Sequence, residues 1–247
     1  MILSERKLAK VRDMKIPQKL EQGIFLKRYK RFFADIEWQG QVITAHVANT
    51  GSLKSCGESG SPCLFTVHDD PKRKLKYSLE MLQAPSGSWV GVNTSLPNQL
   101  VKMALAEKTL PHWQDWDEIH PEFKINAETR LDFRLRKISP EKFHYIEVKN
   151  VTLMREKKAQ FPDAVTTRGQ KHLRELIMLM KEGHSAELVF VVQREDCEGF
   201  TTADDIDPEY GQIFREAVQA GLRVTALKTK LSSAGIVLTG QVLPIQL

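Results

Sequence analysis

Leu131-Asp132-Phe133-Arg134-Leu135 and Tyr145-Ile146-Glu147-Val148-Lys149-Asn150 are the stretches that decide the fold. Both read as strands, and Ser139-Pro140-Glu141 supplies a turn between them. Successive side chains of a strand point to opposite faces. Leu131 and Phe133 are therefore expected to point one way, and Asp132 and Arg134 the other. Glu147 and Lys149 share a face, with Ile146 and Val148 packed behind them. In a hairpin Asp132 then lies beside Glu147, so a rigid sheet carries two carboxylates and a lysine.

Like carboxylates held close together repel, so the arrangement calls for a counter-charge. Mg²⁺ or Mn²⁺ supplies one, since such ions prefer oxygen ligands. A bound cation lowers the pKa of a water and polarises a phosphate. Lys149 can orient that water or stabilise charge building on phosphorus. These are the parts of phosphodiester hydrolysis. Glu107 and Glu128 are candidates for a further carboxylate. The plainer reading is that Glu147 and Lys149 form a weak ion pair on an amphipathic strand.

Toward the C-terminus, Phe161 to Gly169 is a polar loop that runs into a helix over Thr167 to Lys181. Leu173, Leu176, Ile177 and Met180 make its apolar stripe, and Gly183 stops it. Thr166 or Thr167 caps it, and the free amides there attract anions. Arg168, Gln170 and His172 lie in its first turns, within reach of a phosphate. The alternative is an ordinary capped helix with His172 packed beside Leu176. A buried strand over Ala186 to Val192, a helix over Tyr210 to Ala220 stopped by Gly221, and strands over Arg223 to Ala226 and Ile236 to Val242 follow. Upstream, Asn98 to Leu110 has helical spacing. Strands alternating with helices indicate an α/β domain, α+β overall, with a mixed sheet.

Before Val92 the segments are short and rich in β formers, punctuated by Gln39-Gly40, Asn49-Thr50-Gly51 and Pro85 to Gly87. This predicts a small barrel of about five strands. Residues 1–90 hold fifteen Lys/Arg against nine Asp/Glu, an excess of six, while the whole chain of 247 residues carries a net charge of only +5. A basic module beside a near-neutral one suggests a polyanion partner. Lys27, Arg28, Tyr29, Lys30 and Arg31 interleave cations with an aromatic ring, and Lys72 and Arg73 repeat the mixture on a loop. Such a surface reads phosphate and shape, so binding with little sequence preference and strong salt dependence is expected. Met1 to Lys15 has no continuous apolar stretch, and no run reaches a membrane span. Three cysteines without metal-site spacing fit reduced thiols in a cytoplasm.

His46-Val47-Ala48-Asn49-Thr50-Gly51, Arg130 to Phe133, Tyr145 to Lys149 and Phe161 to Leu176 together resemble the sugar fermentation stimulation protein A family. The motifs are long, ordered and spread over nearly the whole chain. The resemblance implies an OB-like nucleic-acid-binding barrel over residues 1–92 and a PD-(D/E)xK, restriction-endonuclease-like domain over residues 93–247. It implies DNA binding and a link to the regulation of sugar (maltose) metabolism. It puts Asp132, Glu147 and Lys149 at the nuclease motif positions, Asp132, Glu147 and Val148 around the metal, and Asn49 among the nucleic-acid contacts. Ser52-Leu53, Asn150 and Glu128 depart from the family's usual residues. Because nuclease folds are reused for binding, a non-catalytic DNA-binding regulator stands beside the nuclease reading. A small-molecule enzyme with an acidic metal site is a third class.

Overall fold

The computed structural model describes residues 19–247, so the expectations for Met1 to Lys15 lie outside the described residues. The first strands are β1 (Leu20–Tyr29), β2 (Phe33–Trp38), β3 (Gln41–Val47), β4 (Pro62–Val67) and β5 (Tyr77–Gln83). They run in the order β3-β2-β1-β4-β5, and β3 pairs with β5 to close a five-stranded, OB-like barrel. Gln39 and Gly40 sit at φ 51° and 75°, the left-handed pair that a two-residue hairpin between β2 and β3 requires. Gly23 lies where β1 presses on β2; a Cβ there would sit 2.6 Å from Ile36 Cγ2. Phe25, Ile36, Val47, Phe65 and Leu79 fill the interior. A short β6 (Trp89–Gly91) leads out of the barrel.

The second module contains α1 (Leu96–Ala106), β7 (Glu118–Lys124), β8 (Arg130–Lys137), β9 (Lys142–Val151), β10 (Leu153–Arg155) and β11 (Lys158–Phe161). After these come α2 (Thr167–Lys181), β12 (Ser185–Val192), β13 (Gly199–Thr202), α3 (Pro208–Gln219), β14 (Arg223–Ser232), β15 (Gly235–Leu243) and β16 (Ile245–Gln246). The main sheet has the order β15-β14-β12-β9-β8-β7 and is mixed: β9, β12 and β14 are parallel and the flanks antiparallel. A smaller sheet, β10-β11-β13-β16, stands beside it. β12 is buried on both faces, as a central parallel strand has to be. One face of the main sheet packs on α1 and on Leu64 and Met81 of the barrel. The other packs beneath α2 and α3 through residues such as Leu173, Leu176, Tyr210 and Phe214.

Three expectations change. The helix expected from Asn98 to Leu110 is Leu96–Ala106, because Pro97 suits a first helical turn. β7 carries Pro121 at the sheet edge, where a missing donor is tolerated; its mixed composition gave no strand signal. Leu131 and Phe133 do not share a face: Phe133 packs into the core shared with the barrel and Leu131 into the core under α2.

Glu187 anchors the middle of β12. It is fully buried and accepts hydrogen bonds from Trp113 Nε1 at 2.9 Å and from Thr225 Oγ1. His112 and His144 bring Nε2 within 3.0 and 3.1 Å. Burial alone pushes its pKa up, but the two histidines outweigh that and hold it well below the ordinary carboxylate range. A carboxylate whose folded pKa is depressed stabilises above its unfolded value and loses that contribution as pH falls through the folded one. Glu187→Ala strands its donors in the core, so a loss of about 3–5 kcal/mol is expected in urea unfolding at neutral pH. Below about pH 4 the wild type then loses stability more steeply than the variant, narrowing the gap. A gap that stays constant with pH contradicts this assignment.

Candidate metal centre

The β8–β9 ladder runs from Lys137↔Lys142 to Phe133↔Ile146 and stops there. Beyond it β8 stays on β7 down to Arg130, while β9 stays on β12 to Val151. A slot opens between β8 and β9. The Asp132 side chain fills it: Oδ2 accepts the Val148 amide at 2.7 Å, and Oδ1 accepts from Asn98 Nδ2 of α1 at 2.6 Å. A strand residue's N–H and C=O face the same edge, so the Val148 carbonyl faces this slot too.

Glu147 sits beside it on β9. Its Oε1 meets Lys149 Nζ and His172 Nδ1 of α2. Arg168 Nε lies 3.5 Å from His172 Nε2, an arrangement in which Nε2 accepts and Nδ1 carries the proton toward Glu147. Glu147 Oε2 is buried and has no partner. Burial, and after it the Glu147 charge, push Asp132 up to about 7. Burial pushes Glu147 up as well, but Lys149 and His172 outweigh it and hold that carboxyl at about 2.

These residues fit a hard divalent cation. An unpaired buried carboxylate oxygen is costly unless something charged or polar meets it. Burial, and after it the neighbouring Glu147 charge, push Asp132 toward its protonated form. Among the described residues no three His, Cys, Asp or Glu side chains group to hold an ion by themselves. A backbone carbonyl and water would therefore complete an oxygen set, as such ions accept.

The centre lies on the floor of a cleft of about 920 Å³ between the two modules. One wall is the β1–β2 turn with the Asn49–Ser52 loop, and the other is the Phe161–Arg168 loop ahead of α2. Asp163 Oδ2 joins the walls by accepting the Ser52 amide at 2.8 Å. Gly51 passes so close that a Cβ would sit 2.3 Å from Asp163 Oδ2. Thr166 caps α2, accepting the Gly169 amide at 3.1 Å.

The expected nucleic-acid contacts divide. Tyr29, Lys30, Arg31 and the exposed Arg168 line the cleft. Arg28 lines it as well, but its guanidinium is spent on the carbonyls of Arg31, Asn49 and Gly51. Asn49 is buried, donating to the Val92 carbonyl and accepting the Gly51 amide. Gln170 is buried with its amide on Asp207, and His172 is buried on Glu147, so neither presents a phosphate contact. Lys27 pairs with Asp35 at 3.5 Å, and Lys72 and Arg73 stand on the β4–β5 loop; none of the three lines the cleft. Nor does Glu107 or Glu128, and Glu128 pairs with Lys171 at 3.0 Å. Asn98 and Asp163 carried no signal, because each acts through a partner far along the chain.

No helix among the described residues is long and apolar enough to cross a membrane. A model of the SfsA N-terminal OB domain matches residues 26–92, and one of the sugar fermentation stimulation protein RE domain matches residues 95–235. The sugar fermentation stimulation protein homolog of Bdellovibrio bacteriovorus is 57% identical, across 95% of this chain and 100% of its own. That of Geotalea uraniireducens is 43% identical, across 92% and 98%. The structure of Pyrococcus furiosus SfsA in complex with Ca²⁺ matches with a TM-score of 0.85 at 26% identity, across 97% of this chain and 100% of that one. The chain belongs to the sugar fermentation stimulation protein family.

Proposed function

We propose that the chain is a divalent-metal-dependent nuclease that acts on DNA in the cytoplasm. The buried, unpartnered Glu147 Oε2 beside Asp132 carries this reading. Asp132, Glu147 and the Val148 carbonyl would hold Mg²⁺ or Mn²⁺. When bound, the ion supplies a Lewis acid that makes water a better nucleophile and polarises a phosphate. The Ca²⁺ in the Pyrococcus furiosus structure supports a divalent site in this fold. Buried free cysteines suit a reducing compartment.

Hydrolysis adds water across one P–O bond. Lys149 Nζ, beside Glu147 Oε1, places a positive charge next to a phosphate lowered onto the floor. His172 donates to that same oxygen and fixes the carboxylate, leaving the buried Oε2 without a protein partner. Lys30, Arg31 and Arg168 supply the cations that draw the backbone in.

With Mg²⁺ or Mn²⁺, the wild type is expected to cut single-stranded or linear duplex DNA. Asp132→Asn and Lys149→Ala each slow cleavage by about 100-fold or more while salt-sensitive binding persists. Binding without cleavage under either metal replaces this reading with a non-catalytic regulator of sugar-utilisation genes.

Asp132 also gives a signature without turnover. Its folded pKa lies above the unfolded value, so the native state binds more protons between the two. In EDTA, wild-type stability therefore falls as pH rises from about 4 to about 7 and levels off above. Millimolar Mg²⁺ at pH 8 restores it, because a cation bound only to the native state stabilises that state. Asp132→Asn removes both the slope and the metal response. A wild-type Tm that ignores Mg²⁺, Mn²⁺ and Ca²⁺ alike argues against the site.

A further inference from the structure

We infer that the cleft takes a single nucleic-acid strand and excludes intact duplex; this rests on the nuclease reading and narrows its substrate. A duplex is a stiff, wide rod, whereas a single strand is thin and flexible; the cleft, about 920 Å³, is walled on both sides by the two modules. The acidic floor is deep: the Glu147 and Lys149 side chains are only 4% and 13% exposed. A duplex resting on the rim leaves its phosphates above them, whereas a single strand can descend.

The walls are held at this spacing. Asp163 ties the Gly51–Leu53 loop to the Phe161–Arg168 loop. Behind it, the Gly91 amide donates to the Gln193 carbonyl at 2.9 Å, and buried Arg194 donates to the Ser55 and Thr152 carbonyls at 3.1 and 2.8 Å. Leu64 and Met81 of the barrel share the apolar core of the second module. Widening the cleft for a duplex breaks these contacts together.

The barrel wall carries what a single strand needs. Lys30 and Arg31 are both in the left-handed region, at φ 47° and 62°. Cationic residues with a Cβ are strained there, where Asn and Gly are at ease. Arg28 Nε holds the turn by donating to the Arg31 carbonyl at 2.8 Å. Strain kept in such a turn is in keeping with a functional site. Next to it the partly exposed Tyr29 ring lines the cleft, stacked on Phe33 with centroids 5.5 Å apart and with Lys27 Nζ 5.8 Å from its centroid. Two exposed cations and an aromatic ring stand together on this wall.

The test is fluorescence anisotropy in EDTA, where no strand is cut, with an oligothymidylate of about 12 nucleotides against a blunt hairpin duplex of about 12 pairs. The single strand is expected to bind about tenfold tighter or more. A Lys30→Asn, Arg31→Gly double variant keeps a residue pair the turn favours, so it folds. It should lower the slope of log K against log salt for the single strand by about 1.4, two phosphates at about 0.7 each. Duplex binding equal to or tighter than single-strand binding overturns this inference but leaves the metal-centre reading standing. Binding of neither probe at low salt overturns the nucleic-acid reading itself. An unchanged salt slope in the double variant shows that the turn does not touch the strand and removes the argument built on it.

Discussion

The Val148 amide donates its hydrogen bond to the Asp132 carboxylate and not to a backbone carbonyl of the neighbouring strand. The rest of the site follows from that substitution. Were β8 to stay on β9 past Phe133 and Ile146, the two strands would satisfy each other and no slot would exist. A split sheet leaves backbone groups unpaired, and a buried unpaired amide costs roughly as much as a lost hydrogen bond. The carboxylate meets that need and in doing so brings a second negative charge beside Glu147. One residue thus repairs the sheet and creates an electrostatic shortage that a cation would relieve. The asymmetry of the two acids has the same origin. Glu147 has Lys149 and His172 at one oxygen, while Asp132 has only neutral donors.

This site was partly legible in the sequence, and the reason is local. Alternation along 145–149 places Glu147 and Lys149 on one face, and the structure keeps them there, facing α2. Caps and stops are equally local: the helix over Thr167–Lys181, its Thr166 cap and its Gly183 exit all rest on neighbours within four residues. Alternation failed at Leu131, because it cannot say which core a side chain joins where β8 parts from β9. The small sheet was illegible for a related reason. Its strands are two to four residues long and pair over distances that no short window spans.

Side chains whose partners lie far away were misread in a consistent direction. Arg28, Asn49, Gln170 and His172 are polar residues near a basic or phosphate-like motif, and each looked free for a ligand. In the fold each is spent on the protein: Arg28 and Asn49 brace the Asn49–Gly51 loop, Gln170 braces Asp207, and His172 braces Glu147. Buried polar groups have to be satisfied, and a motif packed between two modules is where such demands concentrate. The cations left over, Lys30, Arg31 and Arg168, are the exposed ones. A motif marks the place of the site, while burial separates the residues that build it from those that face a ligand.

The barrel is consequently more than a tethered binding module. An interface tied only by a flexible linker would let the two halves choose their spacing for each substrate. Here β6 runs from the barrel to a bridge between Val90 and Arg194, and Arg194 is fully buried with its guanidinium on Asp196, Ser55 and Thr152. Removing one partner of such a buried charge leaves the other uncompensated, so the joint resists gradual loosening. Tied walls hold the cleft at one spacing. If the cleft takes one strand, the fold would set that selectivity by geometry before any base is read, with few side chains aimed at base edges.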